Sequence, residues 1–251
     1  MTVYYEDEWV TLHHGDFRDL LPALNIHADL IVADPPYGET SLEWDVWPDG
    51  WPSDLLTVAS SMWCFGSMRM FLDRRDEFAG WKLSQDVVWH KSTSGFNPGD
   101  RFSRVHEHAL HWYRGSWSDV HHEPTRVTAR KRQAGDAIPR NLKRAGTHGQ
   151  LGPSHQVSDG LAYVETVQHG GVSRSDAINE TQKPVGLLEP LIAYGCPPGG
   201  LILDPFAGSC STLVAARNLG RRAVGIEMRE DQCEKAANRL NQGVLDFDGA
   251  A

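Results

Sequence analysis

Asp34-Pro35-Pro36-Tyr37 sets a carboxylate, a stiff carbonyl-bearing backbone and an aromatic ring next to one another. Proline fixes φ at about −65° and carries no amide hydrogen, and it biases the residue before it toward extended backbone. The Pro35 carbonyl therefore points in a defined direction beside the Asp34 side chain. Two such acceptors suit a group with two N–H donors, such as the exocyclic amine of a nucleobase. The Tyr37 ring offers a face on which a planar base can stack. For these four residues alone, a Pro-rich turn with a solvated aspartate is the plain alternative.

A second group lies far downstream. Leu201-Ile202-Leu203 runs into Asp204-Pro205-Phe206-Ala207-Gly208-Ser209-Cys210-Ser211-Thr212, then into helical Leu213 to Leu219, then into the strand candidate Ala223-Val224-Gly225-Ile226 that ends at Glu227. Strand, small-residue turn, helix, strand and acidic residue is the logic of nucleoside-cofactor sites. Gly208 and Ser209 let backbone approach a ligand closely. Glu227 follows Asp204 by 23 residues, near the roughly 20 expected of a carboxylate that grips ribose hydroxyls. A full GxGxxG is absent and no lysine follows the turn, which disfavours a dinucleotide or a nucleoside triphosphate. The acidic residues are compatible with a cationic, phosphate-free nucleoside such as S-adenosylmethionine.

The elements that must position these groups alternate along the chain. Trp9–His14, Ala28–Val32, Met62–Phe65, Gln85–His90 and His108–Tyr113 read as strands, short and rich in β-branched or aromatic residues. Phe17–Leu24, residues 53–62 capped at Ser53, and residues 69–79 read as helices. Pro184 opens a further helix through Tyr194 with Pro190 inside its pattern, and Arg229–Leu240 is a last amphipathic helix. Such alternation predicts an α/β protein with a mostly parallel sheet covered on both faces. In open sheets of this kind ligands bind at the carboxyl ends of the strands, which is where Asp34, Asp204 and Glu227 fall. Trp44, Trp47 and Trp51 follow Tyr37 in a Pro/Gly-rich loop; a stacking lid and simple packing onto the domain are equally good readings. His106-Glu107-His108-Ala109-Leu110-His111 resembles a zinc HExxH only at a glance, because position 110 is Leu. No metal is expected.

The chain has 251 residues with a net charge of −9, unevenly spread. Residues 1–60 hold twelve acids against Arg18 alone, whereas residues 125–150 hold Arg126, Arg130, Lys131, Arg132, Arg140, Lys143 and Arg144 against one acid, Asp136. That asymmetry points to one surface made for a polyanion, a solvated basic loop being the bland alternative. From about 114 to 180 apolar runs shorten and Gly, Pro, Ser, Thr and His dominate, so this stretch reads as an insertion between sheet-forming segments 1–113 and 181–251. Cys64, Cys196, Cys210 and Cys233 have no CxxC spacing and read as reduced. No apolar run approaches the ~18 residues of a membrane span, and the acidic N-terminus lacks a signal-peptide core, so a cytoplasmic, membrane-free protein is expected.

Asp34-Pro35-Pro36-Tyr37, then Thr181-Gln182-Lys183-Pro184 after a basic region, then Asp204-Pro205-Phe206-Ala207-Gly208-Ser209 together resemble the amino-group (N6-adenine or N4-cytosine) DNA methyltransferases of the β motif order. The resemblance covers roughly 9–113 and 181–240. It implies a three-layer Rossmann-like fold with a seven-stranded, mostly parallel sheet, permuted in sequence, and 114–180 as the target-recognition region. It also implies that Asp34, Pro35, Pro36 and Tyr37 hold a flipped base. Asp16, Thr181, Lys183, Asp204, Phe206, Gly208, Ser209 and Glu227 are implied to surround S-adenosylmethionine, with Lys183 toward its methionine end and Asp16 near its adenine. Double-stranded DNA is the implied partner; a homodimer and a cognate restriction nuclease are left open. Where the family turn reads Gly-Ser-Gly, this chain has Cys210 in the last place. Asp at the head of the first motif is more typical of adenine-N6 enzymes, so methylation of adenine is expected, with cytosine-N4 as the alternative. RNA or a protein glutamine is a more distant one.

Overall fold

The computed structural model describes residues 2–91, 99–128, 161–170 and 182–245. They divide into a main unit, Met1–Glu123 with Thr166–Ala251, and a small one, Pro124–Glu165. The main unit opens with an antiparallel hairpin, β1 (Thr2–Glu6) and β2 (Val10–His14). The Asp7 carboxylate closes it by accepting the N–H groups of Trp9 and Val10 at 2.8 Å each. Asp16 then caps α1 (Phe17–Leu24), accepting the Arg18 N–H, and Asn25 ends the helix in the left-handed conformation, the start and stop expected of Asx residues.

β3 (Leu30–Ala33), α2 (Trp51–Asp54), β4 (Ser61–Gly66), α3 (Met68–Asp73), β5 (Lys82–Lys91) and β6 (His106–Tyr113) follow. The helix expected over 53–62 is only the single turn α2, and its cap is Gly50, not Ser53. Thr57 and Val58 are branched at Cβ and disfavour its continuation, and the chain must be extended from Ser61 to serve as a central strand. The small unit holds an antiparallel pair, β7 (Arg126–Thr128) and β8 (Leu161–Tyr163). The main unit resumes with β9 (Val167–Gly170), α4 (Val185–Gly195), β10 (Leu201–Asp204), α5 (Ser211–Asn218), β11 (Arg222–Glu227) and α6 (Glu230–Leu245).

Among the described residues the main sheet has nine strands in the order β1-β2-β11-β10-β3-β4-β6-β5-β9. All neighbours are parallel except β1 with β2 and β6 with both β4 and β5. The inner seven are the expected core, and β1 and β9 extend it at the edges. β1 is a run of β-branched and aromatic residues, Thr2-Val3-Tyr4-Tyr5, and pairs back on β2. β9 is held where Val88 N–H reaches Thr166 O and Trp89 Nε1 donates to Gly170 O. The separate unit is thus narrower than the 114–180 insertion expected from composition: 114–123 and 166–170 belong to the main unit, because a strand can be anchored by backbone pairing without a long apolar run.

Alternate residues of each strand face opposite layers. Leu30, Val32, Trp63, Phe65, Ala109 and Ile202 pack against α4, α5 and α6. Ile31, Ala33, Met62, Cys64, Leu110 and Leu203 pack against α1, α2 and α3. Burial of one such side chain is worth about 1.5–3 kcal/mol, so a one-residue slip that reversed both faces would remove most of the driving force for folding. Register is therefore tightly specified, including the central pairing of Ile202 with Leu30 and Leu203 with Ile31. Here the chain order reverses across the sheet, the place where open α/β sheets bind ligands. None of the described helices is long and apolar enough to cross a membrane.

Candidate functional site

The β3–β10 register places the carboxyl ends of those two strands together, so Asp34 and Asp204 become neighbours although 170 residues apart in the chain. β11 ends beside them at Glu227, and Asp16 follows β2 one strand further out. A cavity of about 660 Å³ opens over this edge, lined among others by Asp16, Asp34, Pro35, Pro36, Tyr37, Lys183, Asp204, Phe206, Gly208, Ser209 and Glu227. That size falls within the roughly 300–1,000 Å³ of small-molecule sites. Thr181, Arg130, Lys131, Arg132, Arg140, Lys143 and Arg144 lie outside the described residues. Arg126 is in the small unit, where its guanidinium lies 6.0 Å from the Tyr163 ring centroid.

Both oxygens of Asp34 are engaged. Oδ1 accepts the Tyr37 hydroxyl at 2.8 Å and Oδ2 accepts Lys183 Nζ at 2.6 Å. Burial, followed by the nearby Asp34 and Glu107 carboxylates, pushes the Tyr37 phenol well above its usual pKa, so it remains a donor. Burial alone would lower the Lys183 pKa, but Asp34 and Glu107 outweigh it and raise the value, keeping the ammonium charged. Lys183, expected toward the methionine end of a cofactor, is thus bonded to Asp34 of the first motif. Its second carboxylate, Glu107, escapes a reading of the sequence that looks only at the histidines around it. The available signal is alternation: Glu107 shares a strand face with Ala109 and His111, both fully buried, and a carboxylate on such a face needs a partner. His111 instead hydrogen-bonds Ser61 Oγ at 3.0 Å, and burial lowers its pKa to about 4.

The cofactor half-site is built on the turn between β10 and α5. Asp204 Oδ1 accepts the Phe206 N–H at 3.0 Å, and Phe206 is wedged edge-on against Phe17 and Trp51. Gly208 has φ of +48°, and a Cβ there would meet nothing nearer than the Phe206 oxygen at 3.8 Å. The position is therefore open toward the cavity. Glu227 straps the two turns together: Oε2 accepts the Gly208 N–H and Oε1 the Arg229 N–H, each at 2.9 Å. A carboxylate accepts about four hydrogen bonds, so lone pairs remain for a diol. Trp47 and Trp51 are core residues, whereas Trp44 is partly exposed, with the Arg229 guanidinium 5.2 Å from its ring centroid. Asp45 ties the loop between them by accepting the N–H groups of Gly38, Glu39 and Thr40.

Burial, with a smaller push from Asp34 and Glu227, raises the Asp204 pKa to about 7. Between its unfolded value near 4 and about 7 the folded protein holds a proton that the unfolded chain has lost, so this group's contribution to stability falls as pH rises through that window. The loss amounts to at most about 4 kcal/mol. In urea unfolding, Asp204→Asn should gain on wild type by up to about 3 kcal/mol between pH 5 and pH 8, the part of that window above pH 5. Cys210, the departure from Gly-Ser-Gly, is fully buried and in the left-handed region at φ of 59°. A β-branched residue fits poorly there, so Cys210→Val should lower the unfolding free energy by about 1–3 kcal/mol, read in the same titration.

The fit to S-adenosylmethionine rests on chemistry visible in these residues. Asp34, Asp204 and Glu227 converge on one cavity without a phosphate-binding lysine at the turn, a donor set that suits a cationic, phosphate-free nucleoside.

A family model described as DNA methylase, of the N6 and N4 type, matches residues 28–238. The Type II methyltransferase M.ScaI of Streptomyces caespitosus is 28% identical over 94% of this chain and 83% of its own length. The Type II methyltransferase M2.LlaDCHI of Lactococcus lactis subsp. cremoris is 25% identical over 96% and 92%. In three dimensions the chain is similar to M1.HpyAVI in complex with SAM, with a TM-score of 0.62, 21% identity and coverage of 92% and 99%. It is also similar to the cytosine-N4-specific PvuII DNA methyltransferase, with a TM-score of 0.66, 12% identity and coverage of 97% and 93%.

Proposed function

The chain belongs to the N6/N4 DNA methylase family, and on that premise we propose that it transfers a methyl group from S-adenosylmethionine to the exocyclic N6 amine of adenine in DNA. The observation that carries this reading is a single cavity that is lined by Asp34 and Pro35, the acceptors proposed for the amine, and by the Gly208–Glu227 turn. S-adenosylmethionine, when bound, supplies an electrophilic methyl group on a sulfonium.

An aromatic amine is a weak nucleophile because its lone pair is delocalised into the ring. Hydrogen bonds from its two N–H groups to the Asp34 carboxylate and the Pro35 carbonyl favour a pyramidal nitrogen and localise that pair. The base must leave the helix to reach this edge, and stacking on Tyr37 offsets the few kcal/mol of unstacking. Glu227 and the Gly208 turn hold the donor on the opposite side, and such positioning supplies much of the acceleration. Asp at position 34 supports adenine over cytosine, and the basic segment over 125–150 supports a nucleic acid over a protein glutamine.

The test is to incubate the protein with genomic DNA and isotopically labelled S-adenosylmethionine, then identify the labelled nucleoside by mass spectrometry. N6-methyladenine is expected. N4-methylcytosine would overturn the choice of base, and no label in DNA would overturn the reading itself.

A further inference from the structure

Four charged side chains alternate in sign along a row: Asp34, Lys183, Glu107 and Lys91. Lys183 Nζ lies 2.6 Å from Asp34 Oδ2 and 3.4 Å from Glu107 Oε2, and Lys91 pairs with the other oxygen of Glu107. Lys183 and Glu107 are only 7% and 8% exposed. The rings of Phe65, Tyr37 and Trp89 surround the ammonium, with centroids at 5.3, 5.8 and 5.9 Å.

Lys183 therefore sits on an oxygen of the carboxylate that an incoming amine would use. An ammonium bonds a carboxylate more strongly than a neutral arylamine does. Asp34 keeps further lone pairs, but an ammonium on Oδ2 neutralises the carboxylate that must polarise the amine, and it can be drawn off only toward another carboxylate, because a buried cation left unpaired is strongly disfavoured. Glu107 is that carboxylate. The two contacts put Lys183 within reach of both carboxylates, and a shift of under about 1 Å toward Glu107 is well within side-chain freedom.

We propose that Glu107 is a positioning residue for methyl transfer: it draws the Lys183 ammonium off Asp34 as the target amine arrives, freeing the acceptor without stranding a charge. The inference rests on the reading of Asp34 as the acceptor for that amine. Lys91 opposes the exchange, since it competes for the same carboxylate from the half-buried end of the row.

The experiment compares wild type, Glu107→Gln, Lys183→Met and the double variant, using DNA carrying the site that wild type methylates. It reads kcat/KM for DNA, the Kd for S-adenosylmethionine by calorimetry, and the fluorescence of 2-aminopurine at the target position, which reports base entry without turnover. Glu107→Gln should lower kcat/KM by about 10²-fold, the scale set by sub-ångström misplacement of a reacting group. It should also weaken the 2-aminopurine signal while leaving the cofactor Kd unchanged. In the Lys183→Met background the same change should cost nothing more, since the residue it acts through is gone. Wild-type kcat/KM in Glu107→Gln, or an equal further loss in the double variant, overturns the inference. If Glu107→Gln does not fold, Lys91→Met decides. By releasing Glu107 it should raise kcat/KM, and an unchanged or lower value overturns the proposal. Absence of any transfer by wild type overturns instead the reading on which the proposal rests.

Discussion

Asp34→Asn should lose methyl transfer by about 10²–10³-fold or more in kcat, the scale seen when one preorganised hydrogen-bonding group is removed from a transition state. The substitution keeps the shape of the side chain but puts an N–H₂ donor where one of the two acceptors stood. It sets that donor against the amine's own N–H groups. Asp34→Ala should be as inactive for a different reason, since it removes the acceptor and leaves Lys183 with Glu107 as its remaining carboxylate. Neither change touches the Gly208–Glu227 straps, so cofactor affinity measured by calorimetry should stay near the wild-type value. Transfer at wild-type rate by Asp34→Asn in a single-turnover assay would falsify the assignment of the amine acceptor.

Glu227→Ala should show the opposite pattern, with cofactor binding lost first. Its carboxylate serves two backbone N–H groups, from Gly208 and Arg229, and is proposed to serve the ribose as well. Hydrogen bonds to a charged group contribute about 1.5–3 kcal/mol each. Losing the ribose contact and loosening the turn should therefore weaken the Kd by about 10²-fold or more. Glu227→Gln retains one acceptor oxygen and should fall between the two. Calorimetric titration separates the cases, and an alanine variant that binds the cofactor as wild type does would remove Glu227 from the site.

Much of this arrangement was legible from residue types. α1 begins and ends where Asp16 and Asn25 can satisfy free backbone groups, and β3, β10 and β11 end at the acidic residues that bound their apolar runs. Local chemistry fixes such boundaries, so local reading finds them. What escaped was decided by distant partners. Residues 53–62 carry apolar spacing that suits a helix, but Ser61–Gly66 pairs with β3 and β6 and becomes strand. β9 has four residues and mostly exposed side chains; it is a strand because β5 lies beside it. Lys183 was legible as part of a motif but not as the partner of Asp34, 149 positions earlier in the chain. Glu107 was hidden among histidines that invited a metal reading. The left-handed backbone at Cys210 explains in retrospect why glycine is the usual residue there, since glycine adopts that conformation without penalty.

The order of strands also governs how the protein is made. β11 and β10 lie between β2 and β3, yet they leave the ribosome some 170 residues after them. Until they emerge, the hairpin β1–β2 has no sheet to join and β3 presents one bare edge of unpaired amides and carbonyls. Such an edge is a template for pairing with another chain, and closing it depends on contacts between distant parts of the sequence, which form slowly. Nascent chains therefore carry this sticky edge until β10 and β11 have emerged, and these two strands act as the key that seals the sheet and, in the same movement, brings Asp34, Asp204 and Glu227 together.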